Sequence, residues 1–245
     1  ANNRAKGNLM IAQSGGSTAV INSSLVGIVR EAMRHDEIDE IYGLRHGVEG
    51  LLSEQFFDLR RQSNAALERL LRTPSAALGS TRARLAPEDE ERALAVLQRH
   101  NVRYLLYIGG NDSAVTCHRL ASAARASGYD LSVVAVPKTI DNDLPVTDHT
   151  PGYASAARFV ATAVMELGLE TEAMRTLEPV RIVEVKGRNA GWLAAAAALG
   201  KRNACEAPHL VYTPERPFDG DRFLASLQAV VSRYGWALVV VPETL

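Results

Sequence analysis

VVAVPKTIDNDLPVTD, residues 133–148, joins a β-branched apolar run to a loop carrying Lys138, Thr139, Asp141 and Asp143. The run stops at Pro137, which has no N–H for a sheet ladder. Such a segment reads as a buried parallel strand that delivers a charged loop at its carboxyl end, where open α/β sheets hold their ligands. Asp141 and Asp143 repel one another unless a cation or a shared proton separates them. An ordinary surface turn has the same composition, because Asn and Asp bond their own backbone and tolerate left-handed geometry. The rest of the chain decides between the two.

Working outward, the same arrangement recurs. Upstream, Arg103–Ile108 predicts a strand that runs into Gly109-Gly110-Asn111-Asp112-Ser113 and a helix to about Ser127, for which Asp112 or Ser113 would serve as cap. Asn8–Gln13 predicts another strand, followed by Ser14-Gly15-Gly16-Ser17-Thr18 and a helix from about Val20 to His35, with Leu25, Ile28, Val29 and Met33 at helical spacing. Strand, glycine turn and helix together make an anion site from outward N–H groups and a helix N-terminus. The turn at 14–18 has neither the GxGxxG spacing nor the GK[ST] ending of a nucleotide fingerprint. Between them lie a predicted strand Glu37–Tyr42, a glycine-punctuated stretch 43–51, a helix 63–71 and Leu78-Gly79-Ser80-Thr81-Arg82. The arginine there suits a fork over a phosphate. Pro87–His100 predicts a helix announced by proline and acidic residues.

Downstream, the turn 148–153 leads to a long helix ending near Arg175. The strand Val180–Val185 delivers Lys186-Gly187-Arg188-Asn189-Ala190-Gly191, a small-residue helix Trp192–Leu199 follows, and the strand His209–Tyr212 exits into Thr213-Pro214-Glu215. A helix 221–234 and a strand 237–241 complete the chain. Strands alternating with helices predict an α/β fold with parallel sheets and right-handed crossovers. The expected division is two lobes, residues 1–150 and 151–245, each a three-layer αβα unit, with the site at the carboxyl ends of the strands between the lobes.

Composition narrows the function classes. With 27 Lys+Arg against 28 Asp+Glu the formal net charge is −1, so no bulk attraction toward nucleic acid or an anionic membrane is expected. The longest apolar run, Trp192–Leu199, falls far short of the ~20 residues a membrane span needs, and a cytoplasmic protein is expected. Cys117 and Cys205 fit neither a metal spacing nor a disulfide framework and read as small core residues in a reducing compartment.

In order and spacing, SGGSTAVIN at 14–22, LGSTR at 78–82, GGNDS at 109–113, PKTIDND at 137–143, KGRNAGW at 186–192 and PE at 214–215 resemble the phosphofructokinase family, in particular its pyrophosphate-dependent branch. The resemblance covers nearly the whole chain. It implies lobes of the phosphofructokinase type and phosphoryl transfer to the 1-hydroxyl of fructose 6-phosphate with Mg2+ bridging the donor. By resemblance, residues 1–150 form the pyrophosphate and Mg2+ lobe and 151–245 the fructose 6-phosphate lobe. Asp141 matches the family's general base, Thr139 a sugar contact and Asp143 a metal ligand. Gly16, Gly110 and Ser113 match donor contacts, and Arg82 an arginine over the transferring phosphate. Lys186, Gly187 and Arg188 sit where the family grips fructose 6-phosphate, and Glu215 matches a sugar-hydroxyl acceptor.

The resemblance also bears on the donor. ATP-using members have glycine where Asp112 and Lys138 stand. A carboxylate at 112 repels a nucleotide's α-phosphate, and Lys138 would stabilise a pyrophosphate leaving group. Pyrophosphate is the expected donor, and the reaction is expected to be reversible. Three positions depart from the pattern: Asn111 replaces a common aspartate at the metal, Lys186 a methionine and Ser17 a proline. Family members also continue well beyond the last predicted strand, so a C-terminally truncated chain is expected. A homodimer or homotetramer is implied. The alternatives are a regulatory sugar-phosphate-binding subunit without catalysis and an ATP-dependent enzyme, and sedoheptulose 7-phosphate is an alternative sugar.

Overall fold

The computed structural model describes residues 6–245. The chain divides into two compact units, Ala1–Lys138 and Thr139–Leu245. Residues 139–150, assigned from the sequence to the first lobe, are built into the second unit. There the Thr139 N–H donates to the Pro151 carbonyl at 3.1 Å, Thr139 pairs with Gly152, and Ile140 packs on the second unit's core.

The first unit contains β1 (Gly7–Gln13), α1 (Ile21–Ala32), β2 (Ile38–Leu44), α2 (Val48–Leu52), β3 (Phe56–Asp58), α3 (Asn64–Leu71), α4 (Glu90–Arg99), β4 (Val102–Gly109), α5 (Asn111–Ala126) and β5 (Ser132–Pro137). Its sheet has the order β3-β2-β1-β4-β5. All pairs are parallel except β2 with β3, which is antiparallel. Successive strand side chains point to opposite faces. Leu9 and Ile11 therefore join the core under α1 and α3, while Met10 and Ala12 join the core under α2, α4 and α5. Helices thus cover both faces.

Two features differ from the sequence expectation. The antiparallel β3 interrupts the parallel alternation, because FFD is too short to show a period. The strand Ser132–Pro137 is not buried on both faces. It pairs only with β4 at the sheet edge, and Val134 is 49% exposed.

A buried polar knot ties the end of β1 to the start of α1. Gln13 Nε2 donates to the Ile21 carbonyl and to Asn22 Oδ1, and Gln13 Oε1 accepts the Leu78 N–H at 2.9 Å. Asn22 Oδ1 also accepts the Ala77 N–H at 2.8 Å, and its amide donates to the Thr73 carbonyl. Buried polar groups left without partners each cost about 1–3 kcal/mol. Asn22→Ala is therefore expected to lower the unfolding free energy by about 2–4 kcal/mol in urea titration, whereas a loss below about 1 kcal/mol is incompatible with the knot holding this turn.

The second unit contains α6 (Tyr153–Ala173), β6 (Val180–Val185), α7 (Trp192–Ala196, continued as a 3₁₀ turn to Gly200), β7 (Leu210–Val211), α8 (Gly220–Tyr234) and β8 (Ala237–Pro242). Its parallel sheet has the order β6-β8-β7, and the central β8 is fully buried from Ala237 through Val240. Asp219 caps α8 by accepting the Arg222 N–H, and Gly235 ends it at φ +79°. Both cysteines are free thiols, but Cys205 is exposed rather than in the core. Among the described residues no helix is long and apolar enough to cross a membrane.

Candidate active site

In the first unit, β1 continues into one neighbouring strand and β4 into the other, so the chain's direction of winding reverses between them. Open α/β sheets form a crevice at such a point, outside the strands' carboxyl ends. There the exits of β1, β4 and β5 are laced together. The Ser14 N–H donates to the Ile108 carbonyl, the Gly15 N–H to the Thr81 carbonyl, and the Lys138 N–H to the Gly109 carbonyl. Gly15 requires glycine, with φ +79° and space for a Cβ only 3.0 Å from Lys138 Nζ; Gly16 has open space around it. Lys138 is 3% exposed, and its ammonium donates to the Gly16 carbonyl at 2.5 Å. Tyr107 on β4 reaches Ser14 and the backbone of Val48, and burial pushes its hydroxyl pKa up to about 12.

Asp112 and Ser113 do not cap α5. The helix begins at Asn111 with Gly110 at its N-cap and no side-chain cap bond. Asp112 instead pairs with Arg84, Nη2 to Oδ1 at 2.9 Å. Ser113 is buried against Gly109, where a Cβ would fall 1.9 Å from the Ser113 hydroxyl oxygen. Arg82 is exposed on a strap held between the buried residues Thr81 and Leu85.

In the second unit, the Thr139 hydroxyl is the knot of the carboxylate loop. It accepts the Asp141 N–H at 3.1 Å and donates to Asp143 Oδ1 at 3.4 Å. Asn142, with φ +56° and 6% exposed, closes the loop from inside, accepting the Thr150 N–H at 2.8 Å and donating to the Asp148 carbonyl. Beside this loop an open pocket of about 530 Å³ is lined by Asn142, Asp143, Thr147, Asp148 and Trp192, among others.

The remaining predicted residues lie at the exits of β6 and β7. Gly187 has φ +125°, and a Cβ there would meet the Ala190 carbonyl oxygen at 2.4 Å. Lys186 pairs with Glu243 Oε2 at 2.6 Å. That hydrogen bond, with Arg188 nearby, holds the Glu243 carboxyl below the usual range. Arg188 is exposed, and its carbonyl accepts the Thr244 hydroxyl. Glu215 Oε1 accepts the Gly191 N–H at 2.7 Å, the main cause of its lowered pKa.

Sequence reasoning missed Arg84, Tyr107, Asn142 as an internal tie, and Glu243. Two of these carried a signal. Arg84 follows Arg82 at the spacing that puts side chains on one side of an extended segment, and Val241-Pro242-Glu243 repeats the strand-exit Pro-Glu of Pro214-Glu215.

For Mg2+, no group of three His, Cys, Asp or Glu side chains converges among the described residues. The hard-oxygen donors are Asn111 at the start of α5 and, in the other unit, Asp143. Mg2+ keeps several waters and binds through one or two carboxylates plus phosphate oxygens. Each unit thus offers one of the two oxygen donors expected from the sequence, and either alone suits an ion whose other ligands are water and phosphate oxygens.

Amides at glycine turns, guanidiniums on a strap and a loop of carboxylates are the equipment of α/β proteins that handle anionic ligands. The chain belongs to the Phosphofructokinase family, whose profile matches residues 8–245. It is 45% identical over 238 residues to a pyrophosphate–fructose 6-phosphate 1-phosphotransferase of Rhodospirillum rubrum and 46% identical over 243 residues to one of Xanthomonas campestris. Each comparison covers 97% of this chain and 58% of the relative, so the chain spans under two thirds of these relatives' length. A crystal structure of the pyrophosphate-dependent phosphofructokinase from Marinobacter aquaeolei matches with a TM-score of 0.88 at 40% identity, covering 97% of this chain and 60% of that one.

Proposed function

We propose that this chain carries the reacting groups of a phosphotransferase that moves a phosphoryl group reversibly between pyrophosphate and the 1-hydroxyl of fructose 6-phosphate. The observation that carries the donor half is the presence in one unit of a buried Lys138 under the Gly15-Gly16 turn and of a carboxylate, Asp112, in the first turn of α5. That combination suits a compact anion and opposes a nucleotide, whose α-phosphate would meet the carboxylate. The names of the relatives support the same donor and acceptor.

Phosphoryl transfer passes through a loose transition state and asks the protein mainly for positioning and cations. Outward amides at Gly16 and Gly110, with Ser113 and Arg82, hold the donor. Bound Mg2+ would neutralise phosphate charge; the residues proposed as its ligands are Asn111 in the first unit and Asp143 in the second, each on its own unit. Asp141 takes the proton from the sugar hydroxyl, and the Thr139 hydroxyl holds the Asp141 backbone N–H on one side of Asn142 and the Asp143 carboxylate on the other. Since Lys186 is occupied by Glu243, the sugar phosphate falls chiefly to Arg188 beside Gly187, with Glu215 accepting a sugar hydroxyl. The functional unit is proposed to be a homodimer or homotetramer.

The test is fructose 1,6-bisphosphate formation from fructose 6-phosphate and Mg2+ with pyrophosphate or ATP. Turnover is expected with pyrophosphate alone, and the Asp112→Gly, Lys138→Gly double variant is expected to lose it. Sugar-phosphate binding without turnover on either donor would instead point to a regulatory binding subunit.

A further inference from the structure

Arg84 is none of the proposed donor contacts, yet the backbone that carries it is anchored on both sides. The strap that carries it, residues 80–86, is pinned at both ends. Thr81, 8% exposed, accepts the Gly15 N–H and the Ser14 hydroxyl through its carbonyl. Leu85, 1% exposed, is buried and its carbonyl accepts Arg119. Between these anchors the strap sends Arg84 to Asp112, the second residue of α5. The two side chains are 75% and 69% exposed, so water screens the pair and it contributes little to folding. Stability does not explain the arginine.

Charge at the donor face does. An uncovered Asp112 carboxylate repels any phosphate-bearing donor, pyrophosphate included, and it adjoins Gly110 and Ser113. A guanidinium on one carboxylate oxygen offsets part of the local charge, enough to favour a compact anion while the carboxylate still stands against a nucleotide, and its remaining N–H groups are donors.

We propose that Arg84 is the counter-ion that admits pyrophosphate past Asp112. It is a specificity-determining positioning residue of the donor site, and this role rests on the phosphotransferase reading above. Arg84 acts through Asp112, so its effect must vanish when the carboxylate does.

The experiment combines steady-state kinetics with calorimetric binding of magnesium imidodiphosphate and of fructose 6-phosphate, on wild type, Arg84→Ala, Asp112→Asn and the double variant. Arg84→Ala is expected to raise the KM for pyrophosphate about tenfold, leaving the KM for fructose 6-phosphate and the melting temperature unchanged. The double variant should recover most of that loss, Arg84→Lys should recover part of it, and the effect should shrink as salt screens the pair. Imidodiphosphate binding that is equal in wild type and Arg84→Ala overturns the inference. So does a KM increase of the same size whether residue 112 is Asp or Asn. If wild type binds neither ligand, the proposed function fails and takes this inference with it. If it binds both but turns over neither, only the catalytic reading fails, and the imidodiphosphate titrations still decide Arg84.

Discussion

Asp141→Asn is expected to reduce kcat for fructose 1,6-bisphosphate formation by about a thousandfold, within the range that removal of a general base produces. The substitution keeps side-chain size and removes the site for the proton. Loop geometry should survive, because the Thr139 hydroxyl holds the backbone N–H of residue 141, and Asn142 ties the loop to Thr150 and Asp148. The KM values for both substrates should therefore move by less than about threefold, the pattern of a group that acts only in the transition state. Asp143→Asn should differ by raising the Mg2+ concentration needed for half-maximal rate. A variant Asp141→Asn that retains a tenth of wild-type turnover would remove Asp141 from the base role.

The framework was legible in the sequence wherever a hydrophobic period ran long enough. β1, β4, β6 and β8 and the helices α1, α5, α6 and α8 stand within a few residues of their expected bounds. Each strand exit with glycine turns out to lie at a carboxyl edge. Short elements were not legible. Phe56–Asp58 is three residues long, and α2 lies in a glycine-rich stretch that gives no helical signal. The edge position of β5 was hidden for another reason: a β-branched run reads the same at an edge as in a sheet interior.

The site was legible as a list of residue types, less so as partners. Lys186 reads as part of the fructose 6-phosphate grip, and only the fold shows that β8 brings Glu243 to it, through a register in which Val185 lies opposite Pro242. Asp112 reads as a helix cap until the strap supplies Arg84. Both pairings depend on segments distant in sequence, which local patterning does not contain.

Lys138→Met is expected to damage donor use and folding together. Lys138 is 3% exposed, and its ammonium reaches under the glycine turn to the Gly16 carbonyl. A buried charge must be compensated locally, so removing it strips a charged donor from the turn whose amides are proposed to hold pyrophosphate. The expected loss is about 10²–10³-fold in kcat/KM for pyrophosphate and about 1–3 kcal/mol in urea unfolding. Methionine fills similar volume, so a cavity contributes little. Arginine should not rescue, since the space above the ammonium is closed: a Cβ on Gly15 would already stand 3.0 Å from Nζ. The two readouts separate two roles for the same side chain. Lost turnover at unchanged stability would make Lys138 a ligand contact alone. Lost stability with intact pyrophosphate use would make it a structural prop. The geometry under Gly15-Gly16 predicts that both fall, because the group that shapes the turn also supplies its positive charge.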